Sequence, residues 1–101
     1  MSKLSQTSID HVKSSTNIVD VVSLFVRLER KGPAYIGLCP FHNDRHPSMR
    51  VDPVRQMYKC FVCGAGGDVF DFLMRHENFS FIEAVRWCAS RAGIQLEETE
   101  E

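Results

Sequence analysis

Four metal-binding side chains fall in two pairs, Cys39-Pro-Phe-His42 and Cys60-Phe-Val-Cys63, separated by seventeen residues. Each pair has the two-residue gap that lets one tight backbone turn aim both donors at a single ion. Any fold of this chain must bring the two pairs together, so the stretch between them has to double back. Three thiols and one imidazole match the donor set of tetrahedral zinc, which deprotonates the thiols it binds. The expected ligands of one structural Zn2+ are therefore Cys39, His42, Cys60 and Cys63. Gly64, directly after the second pair, fits a knuckle that needs positive φ or close backbone approach.

Rival readings of the same residues fail on context. Four protein donors fill the tetrahedron and leave no position for a catalytic water. A zinc deaminase would require a His-x-Glu ahead of its Pro-Cys-x-x-Cys, and no Glu stands beside His42. A thiol redox pair would open a helix within a βαβ unit, whereas Cys60 ends a strand-like run and Cys39 and His42 would go unused. The even count of four cysteines also invites disulfides. However, the opening "MSKLSQTSID" has no apolar signal core and no apolar run reaches membrane-span length. The expected compartment is thus the cytoplasm, where thiols stay reduced, with no membrane partner. His46 competes with His42 as a ligand, but its neighbour Pro47 and polar surroundings place it in an exposed loop. Cys88 reads as a small buried thiol on an apolar helix face. His11 and His76 read as surface residues.

Around the two pairs, local pattern divides a single domain into a helical segment over about 5–25, a β-sheet with the metal site over about 26–66, helices over about 68–93 and an acidic tail over 97–101. Asn17 is a helix cap before "IVDVVSLF", with Ile18, Val21, Val22 and Phe25 on one face. "VRLER" and "AYIGLC" alternate around Lys31-Gly32-Pro33, and "PSMRV" and "QMYKCF" alternate around Asp52-Pro53, giving two antiparallel strand pairs. "GAGG" reads as a flexible turn. Asp68 then caps a helix with Phe70, Leu73 and Met74 on its apolar stripe. Ser80-Phe-Ile-Glu83 is a capping box, and Phe81, Ala84, Val85, Cys88, Ala89 and Ala92 recur at the helical period until Gly93. The tail "EETEE" is expected to fray. The fold class that follows is α+β, a small zinc-ribbon-like antiparallel sheet flanked by helices.

Charge is unevenly distributed along the chain. Residues 25–67 carry seven Lys or Arg against three acids, while residues 68–101 carry eight acids against three Arg. The basic excess coincides with the metal pairs, where a polyanion would be sought. Aromatics interleave with these cations, and a sheet face of rings and cations suits single-stranded nucleic acid, because bases stack while Lys and Arg follow phosphates. Candidate contacts are Arg30, Arg45, Arg50, Arg55, Tyr58, Lys59 and Phe61. Strand alternation sends Tyr58 and Cys60 one way and Met57, Lys59 and Phe61 the other, so these residues cannot all share one face. For each aromatic, Tyr35 included, a place in the core is the competing role.

The stretches "GLCPFH", "HPS", "QMYKCFVCG" and "GGDVFDFL", in that order, resemble the N-terminal zinc-binding domain of bacterial replicative DNA primase. The resemblance extends through "NIVDVVSLFVRLERKG" and "SFIEAVRWCASRAGI" to nearly the whole chain. It implies a ribbon-like sheet with a Cys3His zinc matching Cys39, His42, Cys60 and Cys63. It also implies contact with single-stranded template DNA, with a polymerase domain of the same or a neighbouring primase that makes the RNA primer, and with the replicative helicase through the full-length protein. Arg30, Arg45, Arg55 and Pro47-Ser48 match family positions, whereas Pro33, Ala34, Met49 and Val62 depart from the family pattern. No catalytic site is expected in this chain. Two other assignments fit the residues: a stand-alone zinc-stabilised protein-interaction domain, and a primase-like domain of a mobile element.

Overall fold

The computed structural model describes residues 2–43, 45–96 and 98–100. Strand β1 (Ser2–Leu4) precedes helix α1 (Gln6–Ser15) and helix α2 (Ile18–Ser23). The Asn17 side chain accepts from Val19 N at 2.9 Å, which starts α2 where the cap pattern places it. Ile18, Val21 and Val22 are buried along one side of this short helix.

The next four strands form two successive hairpins: β2 (Glu29–Lys31) with β3 (Ala34–Gly37), and β4 (Met49–Asp52) with β5 (Met57–Cys60). Gly32 turns the first hairpin with φ of 61°. β3 pairs antiparallel with β4, so the hairpins join edge to edge. A fifth strand, β6 (Gly66–Gly67), pairs with β5, giving the order β2-β3-β4-β5-β6. "GAGG" is therefore not merely a turn but the last strand of the sheet. Gly67 has φ of 144°, and a Cβ there would collide with the Asp71 side chain, so only glycine lets β6 pass this close to the following helix.

Helices α3 (Val69–His76) and α4 (Phe81–Ala92) close the core. Asp68 accepts from Asp71 N, and Asp71 accepts in return from Asp68 N, both at 2.9 Å. Ser80 and Glu83 form the equivalent box on α4, which ends at Gly93 with φ of 71°. α3 packs against α4 and α2 and also against β5 and β6. That enclosure buries Phe72 together with Phe70 and Leu73, which is why the single apolar stripe read from spacing left Phe72 out. The acidic tail also departs from expectation, since β7 (Glu98–Glu100) pairs antiparallel with β1; Glu97 and Glu101 lie outside the described residues. Backbone hydrogen bonding to β1 gives these acidic residues partners that local composition does not reveal.

Candidate metal centre and nucleic-acid face

The two knuckles meet because β3 and β5 lie on either side of β4, and each leads into one pair of ligands. The donor atoms of Cys39, His42, Cys60 and Cys63 all lie within 4.8 Å of one another. Cys39 Sγ is 3.7 Å from Cys63 Sγ, and Cys60 Sγ is 3.8 Å from His42 Nδ1. Zinc–sulfur bonds of about 2.3 Å at tetrahedral angles put donors about 3.8 Å apart, so this cage has the size a zinc ion requires. His46 is exposed and absent from the cluster, so the chain positions His42, not His46, to bind the one zinc ion.

The second knuckle is built by its backbone. Cys60 N donates to Ala65 O at 2.7 Å and Gly64 N to Cys60 O at 3.1 Å, with Gly64 at φ of 80°. Val62 N and Cys63 N both approach Cys60 Sγ at 3.4 Å, and Ser48 Oγ lies at the same distance. Burial disfavours a thiolate at Cys60, but the donors from Cys63, Ser48 and Val62 outweigh it and lower the group to about 6. At Cys39 burial dominates and pushes the thiol up to about 12. Among the described non-glycine residues only Gln56 and Asn78 have positive φ, so Val62 sits in its knuckle without left-handed strain.

The first knuckle is held by an aromatic contact that spacing does not disclose. The Phe41 ring packs edge-on against Phe72 at 5.6 Å and near Tyr58 at 6.0 Å, with the Arg75 guanidinium 5.1 Å from its centroid. His76, expected at the surface, instead stacks on Phe72 at 5.3 Å and lies 4.6 Å from Phe25. α3 therefore supplies the floor on which the metal-binding turn rests. The signal was present in the sequence as "DFLMRH", one helical turn from Phe72 to His76, but only packing reveals its use.

The candidate nucleic-acid residues separate into four groups. Arg50, Arg55, Lys59 and Phe61 line one shallow groove of about 660 Å³ on the outer sheet face, together with Asp52 and Met57. Phe61 is 66% exposed, and Lys59 Nζ lies 5.8 Å from its ring centroid. Tyr58 also borders this groove, but it is only 3% exposed and its ring meets Phe72 edge-on at 5.3 Å, so the ring packs in the core. Burial also pushes its hydroxyl up to about 12. Arg30 is exposed but falls in the register row of Tyr35, Val51 and Tyr58, which is the face opposite Arg50 and Lys59. Arg45 is exposed in the loop between β3 and β4, outside the groove.

The family model described as CHC2 zinc finger matches residues 4–101. The chain is 46% identical over 96 residues to the DNA primase of Halalkalibacterium halodurans, covering 95% of this chain and 16% of that protein. It is 48% identical over 88 residues to the DNA primase of Thermotoga maritima, covering 87% and 16%. A crystal structure of the Aquifex aeolicus primase, comprising zinc binding and RNA polymerase domains, matches with a TM-score of 0.85 at 42% identity. That match covers 89% of this chain and 22% of the other. The chain spans about one sixth of the length of these curated relatives.

Proposed function

The chain belongs to the CHC2 zinc finger family, that of DnaG-type bacterial DNA primases, and on that premise we propose that it is the template-contacting module of a primase. Its zinc is structural, closing the sheet. Single-stranded DNA lies along the outer sheet face, with phosphates on Arg50, Arg55 and Lys59 and a base on Phe61. The module assists initiation of the RNA primer, working with a polymerase domain of the same or a neighbouring primase and, through the full-length protein, with the replicative helicase. It acts in the cytoplasm; among the described residues no helix is long and apolar enough to cross a membrane.

The observation that carries this reading is the pairing of Arg50 with Lys59 in one register position on the exposed face. Like charges directly opposite one another on a sheet oppose folding, and a bound polyanion turns that repulsion into attraction. The test is fluorescence anisotropy of the zinc-loaded protein with a labelled single-stranded oligonucleotide across a salt series. Affinity should fall steeply with salt, and binding that ignores salt would remove the proposal.

A further inference from the structure

The turn joining β4 to β5 is more tightly fixed than the fold requires. Val54 at its tip is 85% exposed and Arg55 beside it is exposed, so the tip contributes no core. Yet Asp52 Oδ1 accepts from Val54 N at 2.9 Å and from Arg55 N at 3.1 Å, tying the turn to β4. From the other side Gln56 holds it twice: Nε2 donates to Pro53 O at 2.7 Å, and Oε1 accepts from Ile18 N at 2.8 Å. The second bond reaches across 38 residues to the first turn of α2. Gln56 makes both bonds from a backbone with φ of 56°, a conformation that costs a non-glycine residue free energy and persists only where the surroundings enforce it.

Arg55 projects from this braced turn into the groove, where Asp52 Oδ2 lies 3.9 Å from its Nε. We infer that Gln56 is a positioning residue for the nucleic-acid face, bracing the turn against α2 so that Arg55 is held over the groove before template arrives. The inference rests on the reading that the groove meets single-stranded DNA. A long exposed cation otherwise loses rotamer and backbone freedom on binding, and a turn fixed in advance removes part of that cost.

The experiment is a double-mutant cycle on the zinc-loaded protein, read by anisotropy with labelled oligothymidylate at several salt concentrations. Arg55→Ala is expected to weaken binding and to lower the salt slope by about one phosphate contact. Gln56→Gly tolerates the positive φ but loses both bonds, and it is expected to weaken binding several-fold with a similar loss of slope. Gln56→Asn also tolerates this φ and is too short to reach Ile18, so it provides the same test if the glycine variant folds poorly. Zinc content and melting temperature confirm that each variant is folded at the assay temperature. The decisive reading is the double variant Gln56→Gly/Arg55→Ala, which should bind no more weakly than Arg55→Ala alone, because Gln56 acts through Arg55. Additive losses, or full affinity in Gln56→Gly while Arg55→Ala is weakened, would overturn the positioning role and leave the DNA-binding reading intact. Unchanged affinity in Arg55→Ala would instead remove Arg55 from the interface and take the inference with it.

Discussion

Arg50 and Lys59 stand directly opposite one another across β4 and β5, two cations in one register position on the exposed face of the sheet. Their immediate neighbours in that row are the uncharged Ile36 and Gly66, with Glu29 one strand beyond Ile36 and Asp52 two residues along β4 in the same groove. Lys59→Glu is therefore expected to act in opposite directions on folding and binding. It should stabilise the domain by about 0.2–1 kcal/mol through a favourable cross-strand pair and should weaken single-stranded DNA binding. Thermal melting read beside anisotropy checks this; stabilisation with unchanged affinity would show that the pair serves no polyanion.

Removing one zinc ligand should unfold the domain. Cys60 has no exposed surface and its sulfur is approached by donors from Val62 and Cys63, so Cys60→Ser deletes both a metal bond and the centre of a knuckle. Because metal-binding free energy is folding free energy in a site of this kind, loss of zinc and loss of the cooperative melting transition should coincide, as should chelation of the parent protein. A variant that retained one equivalent of zinc with normal melting would contradict the ligand set.

Phe41→Ala leaves all four donors in place and removes the ring that rests on Phe72 beneath the first knuckle. The loop bearing His42 then loses its floor, and zinc should be surrendered to a competing chelator at lower concentration than in the parent protein. Equal retention would confine Phe41 to a packing role.

Gly67→Ala places a methyl group against the Asp71 side chain, which is engaged in capping α3 through Asp68 N. Strain at positive φ and displacement of the cap act together, and a loss of more than about 1 kcal/mol is expected in chemical denaturation. A neutral result would mean that β6 can move away from α3 without cost.

Alkaline pH should weaken the fold in a defined order. Burial raises the Cys88 thiol from 9.0 to about 11 and the Tyr58 hydroxyl from 10.0 to about 12. Each group stays protonated longer in the folded chain than in the unfolded one. The stability it contributes is complete below the unfolded value and is lost as pH rises through the folded one. Melting temperature should begin to fall above about pH 9, and Cys88→Ala should remove the earlier part of that decline; an identical profile in the variant would assign it elsewhere.

Much of this architecture is legible in local chemistry. The caps at Asn17, Asp68 and Ser80, the stop at Gly93 and the hairpin turn at Gly32 all act through bonds or dihedrals within a few residues, and the structure has each where the pattern puts it. The misreadings come from contacts between elements. The Tyr58 ring on β5 and the α3 residues Phe72 and His76 look ambiguous or exposed in isolation and find their places only where α3 packs against β5, while "GAGG" and the acidic tail gain strand partners, β5 and β1, that composition does not disclose. Tyr58 illustrates the limit, since alternation assigned it a side of the strand but could not say which side faced water.

The sequence by itself determined the metal chemistry, because three thiols and an imidazole at two fixed offsets leave a tetrahedral ion few alternatives. It also determined the alternation that puts Lys59 and Phe61 on the face opposite Cys60. Only the tertiary structure decided which cations share a face. Register across β4 and β5 juxtaposes Arg50 and Lys59, and the Gln56 bond to α2 braces the turn that carries Arg55, while Arg30 is left on the other side. The physical reason is that side-chain period along one strand is a local property, whereas a shared surface depends on strand pairing and on helices packed against one side of the sheet.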